Sequence, residues 1–166
     1  MSDPSATAEA NDFALESFIP FQLSVLSNII GEGISHAYRR QHGLSVTEWR
    51  VLAIVGRFPG LTASEVMDRG AMDKVAVSRA VKKLLARGLM ERSAHSEDRR
   101  RMPLTLTRGK GRALFRAVVP RAIAYERALI QALTDRERAD FERALGKLLV
   151  EAKRLTERAA EADSGA

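Results

Sequence analysis

Residues 62–92 read TASEVMDRGAMDKVAVSRAVKKLLARGLMER, and residues 96–107 read SEDRRRMPLTLT. The first stretch predicts two short helices joined by a turn containing Gly70. Thr62-Ala63-Ser64-Glu65 is a capping-box pattern, in which a threonine oxygen and a glutamate three residues on satisfy each other's free backbone N–H groups. It opens a helix that ends near Arg69 and Gly70. Asp73 can cap the next helix, whose apolar residues Val77, Val81, Leu84 and Leu85 recur at helical spacing, and Gly88 is placed to end it. The second stretch belongs to a hairpin with strands at Leu89 to Ala94 and Met102 to Leu106. Met102, Leu104 and Leu106 alternate with Pro103 and Thr105, so one face can pack inward. Pro103 has no N–H for a ladder and belongs on the outer edge. A helix-turn-helix followed by a basic hairpin can address a duplex in two grooves at once.

Further helices flank this centre. A long one is expected from about Phe18 to Gln41, with Pro20 in its first turn and Gly43 ending it. Leu23, Leu26, Ile30 and Ile34 form its apolar face, and Gly31 and Gly33 weaken it locally. Ser45-Val46-Thr47-Glu48 is a second capping box, and Phe58-Pro59-Gly60 stops the helix it opens. After the hairpin, Thr107 caps a helix to about Leu133 in which Pro120 predicts a kink. Thr134 and Glu137 open a last helix with Phe141, Leu145, Leu148, Leu149 and Leu155 on one side. The class is therefore mainly α with a small β-hairpin wing. Residues 1–17 and 161–166 read as frayed or disordered, residues 45–107 as one lobe, and residues 18–44 with 108–160 as a helical region. The end helices are too apolar along one side to stand alone in water. They pack together and against a second copy, giving a homodimer, or form an intramolecular bundle only.

Charge is distributed unevenly. The chain has 166 residues, 45% hydrophobic and 29% charged, with net charge +6. From Arg69 to Arg112 there are thirteen Lys/Arg and four Asp/Glu, net +9, whereas the rest has fourteen and seventeen, net −3. Basic charge confined to one segment points to a polyanion-facing surface rather than general solvation. The absence of cysteine removes disulfides, thiolate metal sites and thiol redox sensing. No apolar run approaches the roughly 18 residues of a membrane span. Met1 to Asp12 resembles no export signal, which favours the cytoplasm.

With the apolar face of the 73–88 helix turned inward, Lys74, Val75, Ser78, Arg79 and Lys82 share the opposite side. Arginine and lysine donate to guanine edges or phosphates, serine bonds either, and a valine can meet a thymine methyl. Asp98, Arg99, Arg100 and Arg101 lie between the strands. Successive arginines repel one another unless an anion sits between them. An arginine at a hairpin tip can enter a narrow minor groove, with a carboxylate such as that of Asp98 holding its direction.

On these residues the chain resembles the MarR-type winged-helix transcriptional regulators, from about Phe18 to Leu155. The wing signature, Asp-x-Arg followed by Leu-x-Leu-Thr, is matched by Asp98, Arg100, Leu104, Leu106 and Thr107, and Val77-Ser78-Arg79 matches the recognition-helix pattern. The resemblance implies a winged helix-turn-helix with the first and last helices forming a dimerisation region. It also implies a recognition helix in the major groove and Arg100 in the minor groove. The double-stranded DNA partner would be a palindromic operator, repression being the simpler act for a small dimer. The family also provides for a small-molecule effector between dimer region and DNA-binding lobe.

Other classes are less well served. His36, His42 and His95 lie in separate elements, no catalytic motif assembles, and Arg108-Gly109-Lys110-Gly111 lacks the spacing of a phosphate loop. No enzyme activity, cofactor or metal is therefore expected, although Glu32, His36 and His42 lie near enough in sequence to be weighed as a zinc set. His36, Arg39, Arg40, Trp49 and Arg50, with Tyr38, are the candidates for an aromatic or acidic effector, against the alternative that Trp49 is core and the arginines face solvent. A non-specific architectural DNA binder and a winged helix used only for protein interaction complete the alternatives.

Overall fold

Local capping decides where most of the helices begin. The computed structural model describes residues 13–36, 38–92 and 102–164. A 3-10 turn at Leu15–Ser17 precedes α1 (Ile19–Ser35), α2 (Arg39–His42), α3 (Val46–Arg57), α4 (Ala63–Gly70) and α5 (Lys74–Ala86). Strands β1 (Met90–Arg92) and β2 (Leu104–Leu106) come next, then α6 (Lys110–Ile130) and α7 (Asp135–Ser164). Three capping boxes form. Ser45 Oγ accepts from Glu48 N at 3.1 Å while Glu48 Oε2 accepts from Ser45 N at 3.0 Å. Thr62 with Glu65 and Thr134 with Glu137 repeat the arrangement. At α5 the carboxylate of Asp73 accepts from Ala76 N at 2.8 Å. Gly43 and Gly88 end α2 and α5 in the left-handed conformation, at φ 58° and 65°.

Several details differ from the sequence reading. The first helix stops at Ser35, and the single turn α2 follows, rather than one helix running to Gln41. Glu32 and Arg39 lie on either side of the break and form a two-pronged ion pair, at 2.8 and 2.9 Å. Leu15–Ser17 and residues 161–164 are helical where fraying was expected. α6 continues past Pro120, which lies inside it. Gly70 is the last residue of α4, and the left-handed residue of the turn is Ala71, at φ 46°. Gly70 serves close packing instead: a Cβ there would sit 2.6 Å from Met72 Cε and 3.0 Å from Ile54 Cδ1.

The chain divides into two compact units, residues 1–122 and 123–166, at a point inside α6. In the first unit α3 packs against α4, α5 and β2. Its core includes Tyr38, Trp49, Leu52, Val55, Val66, Val81, Leu84, Leu104 and Val118. β1 and β2 are antiparallel, with Met90 opposite Leu106 and Arg92 opposite Leu104. Pro103 falls just before the paired strand, so its missing donor costs no ladder bond. On the other side of β2, Leu104 N donates to Leu61 O at 2.8 Å and Gly60 N to Leu104 O at 2.9 Å, adding a third short chain segment. In the second unit no residue of α7 is buried.

Candidate nucleic-acid interface

α5 is oriented by its apolar side. Val77, Ala80, Val81 and Leu84 are 0–4% exposed, and burying four such side chains against α3 and α4 fixes which face looks outward. Lys74, Val75, Ser78, Arg79 and Lys82 are all exposed on the opposite side. Even the apolar Val75 is left 54% exposed. Asp73 is used up in capping, so its charge stays at the helix end.

The basic segment sorts into two groups. Some cations have partners. The Arg69 guanidinium stacks 4.0 Å over the Phe58 ring, Lys83 Nζ is 3.3 Å from Glu48, and Arg87 donates to the carbonyls of His42 and Gly43. Lys74, Arg79 and Lys82 pair with no carboxylate among the described residues. A groove of about 450 Å³ beside Lys82 is lined by Ala63, Ser78, Val81, Lys82, Leu85 and Arg92. Arg92 was not singled out from the sequence. Its signal was its place two residues beyond buried Met90, in a strand too short for alternation to be read. The wing candidates Asp98, Arg99, Arg100 and Arg101 lie outside the described residues.

The effector candidates are placed differently from one another. Trp49 is 9% exposed, packed against Tyr38 at 5.5 Å between ring centres and against Phe115 at 6.4 Å, so it is core. Arg39 is engaged by Glu32, which also occupies that carboxylate. His36, Arg40 and Arg50 are exposed. Tyr38 is buried, and burial pushes its phenol up to about 12, with Glu32 adding to the rise and Arg39 and Arg50 opposing it. Among the described residues no helix is long and apolar enough to cross a membrane.

The same architecture occurs in proteins with assigned families. A model of the MarR family matches residues 42–101, the span from α2 into the wing. An HTH-type transcriptional repressor of Mycobacterium tuberculosis is 29% identical over 106 residues, covering 64% of this chain and 76% of the relative. A MarR/EmrR family transcriptional regulator from Acinetobacter sp. ADP1 superposes with a TM-score of 0.77 at 28% identity, over 86% of this chain and 99% of that one. A MarR family transcriptional regulator from Silicibacter pomeroyi DSS-3 is 30% identical with a TM-score of 0.68, over 83% and 99%. The fold is thus shared over nearly the full length of these two regulators of known structure, and the chain belongs to the MarR family of transcriptional regulators.

Proposed function

We propose that the protein is a sequence-specific DNA-binding repressor that acts as a homodimer on a palindromic operator. The exposed cations of α5, which pair with no carboxylate among the described residues and are set on a helix whose other side is core, carry this reading. In it residues 45–107 form the DNA-binding lobe. The outer face of α5 enters the major groove, where Arg79 and Lys82 donate to guanine edges or phosphates, with Lys74 beside them. Ser78 bonds either, and Val75 meets a thymine methyl. Arg100, steadied by Asp98, enters the minor groove, and Arg99 and Arg101 meet phosphates.

Residues 18–44 and 108–160 form the dimerisation region. Ile19 and Ile29 on α1 are 58% and 61% exposed, and Leu149 and Val150 on α7 are 57% and 70% exposed. A helix of 30 residues with nothing buried gains no packing energy by itself, and a second copy supplies it. Dimerisation would set two recognition helices on half-sites about 34–36 Å apart. Repression accords with the name of the mycobacterial relative. Release by a small aromatic or acidic effector would use His36, Arg40 and Arg50, because Trp49 is core and Arg39 is engaged.

The test is fluorescence anisotropy on the DNA upstream of the protein's own gene and on duplexes selected from a random library, across a salt series. Two protomers per site and resistance to random competitor are expected. Arg79→Ala, Lys82→Ala and Arg100→Ala should each weaken binding by about 1–3 kcal/mol, or lower the salt slope by about one where the contact is to phosphate. Equal, steeply salt-dependent affinity for every duplex would replace this reading with a non-specific architectural role. No binding at low salt would leave a protein-interaction module.

A further inference from the structure

Glu48 is a buried carboxylate, 5% exposed, at the start of α3. Its capping box accounts for one bond, from Ser45 N, but not for its burial. The glutamates of the other two boxes, Glu65 and Glu137, are half-buried and exposed. A carboxylate withdrawn from water needs charged partners to offset its lost hydration. Glu48 has two among the described residues, Lys83 in α5 with Nζ at 3.3 Å from Oε1, and Arg87, the residue that caps the end of α5, with Nη1 at 3.9 Å from Oε2.

Lys83 and Arg87 are one helical turn apart. Lys83 is also one turn from Arg79, so this pair lies on the flank of the outward basic face. Arg87 reaches further. Its Nη2 donates to His42 O at 2.5 Å and its Nη1 to Gly43 O at 3.2 Å, the carbonyls that close α2. Glu48 therefore stands where the end of α2, the start of α3 and the C-terminal half of α5 are cross-linked by polar bonds. The buried side chains of α5, Val77, Ala80, Val81 and Leu84, are apolar, and such contact is non-directional, setting depth well and rotation poorly.

We infer that Glu48 is a positioning residue for DNA recognition, holding the C-terminal half of α5 through Lys83 and Arg87 so that Arg79 and Lys82 reach their contacts in register. It touches no DNA itself. The inference rests on the proposed DNA-binding reading, and its test is separable from that reading.

Glu48→Gln keeps an acceptor for Ser45 N and removes the charge that holds Lys83 and Arg87. The probes are the tightest duplex that the wild-type protein selects from a random library and a scrambled duplex of the same composition. Affinity for the selected duplex should fall about tenfold, the scale of one lost base contact, while affinity for the scrambled duplex does not fall. Adding Arg87→Gln should cost little more, because both changes break one link. Without DNA, amide exchange at residues 83–88 should quicken in Glu48→Gln relative to residues 50–55. Should Glu48→Gln fail to fold, Lys83→Gln removes the same pair from its exposed end. It should show the same loss of preference with an unchanged salt slope. Wild-type preference retained in the variant, an equal loss on both duplexes, or unchanged exchange at 83–88 overturns the inference. If the wild-type protein selects no duplex, the DNA-recognition reading fails, and the exchange result still decides whether Glu48 holds α5.

Discussion

Gly111→Ala tests how the wing is joined to the long helix that follows it. A Cβ at Gly111 would lie 2.0 Å from Leu89 O and 3.0 Å from Thr107 Oγ1. A carbon–oxygen contact settles near 3.3 Å, so the first turn of α6 would have to retreat by about 1.3 Å. The carbonyl of Leu89 is not free to swing aside, because it accepts from Thr107 N at 3.2 Å. Thr107 is held as well, donating to Gly88 O at 2.8 Å and accepting from Gly111 N at 2.9 Å. Overpacking of this kind costs about 1–3 kcal/mol, and losing the Thr107 bonds adds about 1–2 kcal/mol. Alanine's better helix propensity returns about 1 kcal/mol, for a net loss of about 1–4 kcal/mol. For a chain of this size that is a fall in Tm of about 2–16 °C, measured by circular dichroism at fixed protein concentration. Gly109→Ala is the control, since nothing lies within 4 Å of the added Cβ, and its Tm should be unchanged or slightly higher. A Gly111→Ala protein melting within about 2 °C of wild type would refute the reasoning, because no shift smaller than the contact requires can accommodate the methyl.

Ala71 occupies the left-handed region at φ 46°, so Ala71→Gly should raise the urea midpoint by the equivalent of about 0.5–1 kcal/mol; a lower midpoint would show that the strain is absent. The Tyr38 phenol is pushed up to about 12, and an unfolded chain would lose that proton from about pH 10. Between these values the unfolded state binds fewer protons, so stability should fall by about 2 kcal/mol as pH rises from 10 to 12. Tyr38→Phe should remove that slope and cost nothing at pH 7, since the buried hydroxyl has no hydrogen-bond partner among the described residues. An unchanged alkaline slope in denaturant titrations of the variant would count against it. Ile29→Glu, on the exposed side of α1, should give a monomer in sedimentation equilibrium with the far-UV spectrum of the first unit retained, and a persistent dimer would move the interface off α1.

The parts of the fold that were legible in the sequence are those whose determinants lie within four residues of one another. Ser45 with Glu48, Thr62 with Glu65, Thr134 with Glu137 and the Asp73 cap are short-range bonds, and each forms as its spacing predicts. The outward face of α5 was legible for a related reason: helical periodicity puts Val77, Val81 and Leu84 on one side, and Lys74, Ser78 and Lys82 must then face away. What could not be read depends on residues distant in sequence. The Leu61 bridge to Leu104 spans more than forty positions, and nothing in Phe58-Pro59-Gly60 announces it. Gly111 reads as part of the run that opens the helix after the wing, but nothing in that run announces the Leu89 carbonyl that a Cβ there would meet. Trp49 suits either a pocket or a core by type, and only the packing of Tyr38 and Phe115 against it decides.

The charge of the central segment shows the same division more sharply. Sequence counts thirteen cations between Arg69 and Arg112 and treats them alike. In the folded chain Arg69 is spent on an aromatic ring, and Lys83 and Arg87 on a buried carboxylate and two carbonyls. These three are engaged with the lobe itself, although the Lys83 side chain is still 69% exposed. Lys74, Arg79 and Lys82, on the same helix as Lys83 and within three turns of it, have no such partner among the described residues. A count of basic residues therefore overstates the charge that α5 offers to DNA, and the salt slope of binding should follow the unpaired cations rather than the total. Fewer free charges weaken attachment to arbitrary sequence, which depends on phosphates alone. Base contacts from a well-held helix are affected less. Tethering part of a basic helix to its own lobe is thus a way of favouring specific over non-specific binding without changing the residues that read the bases.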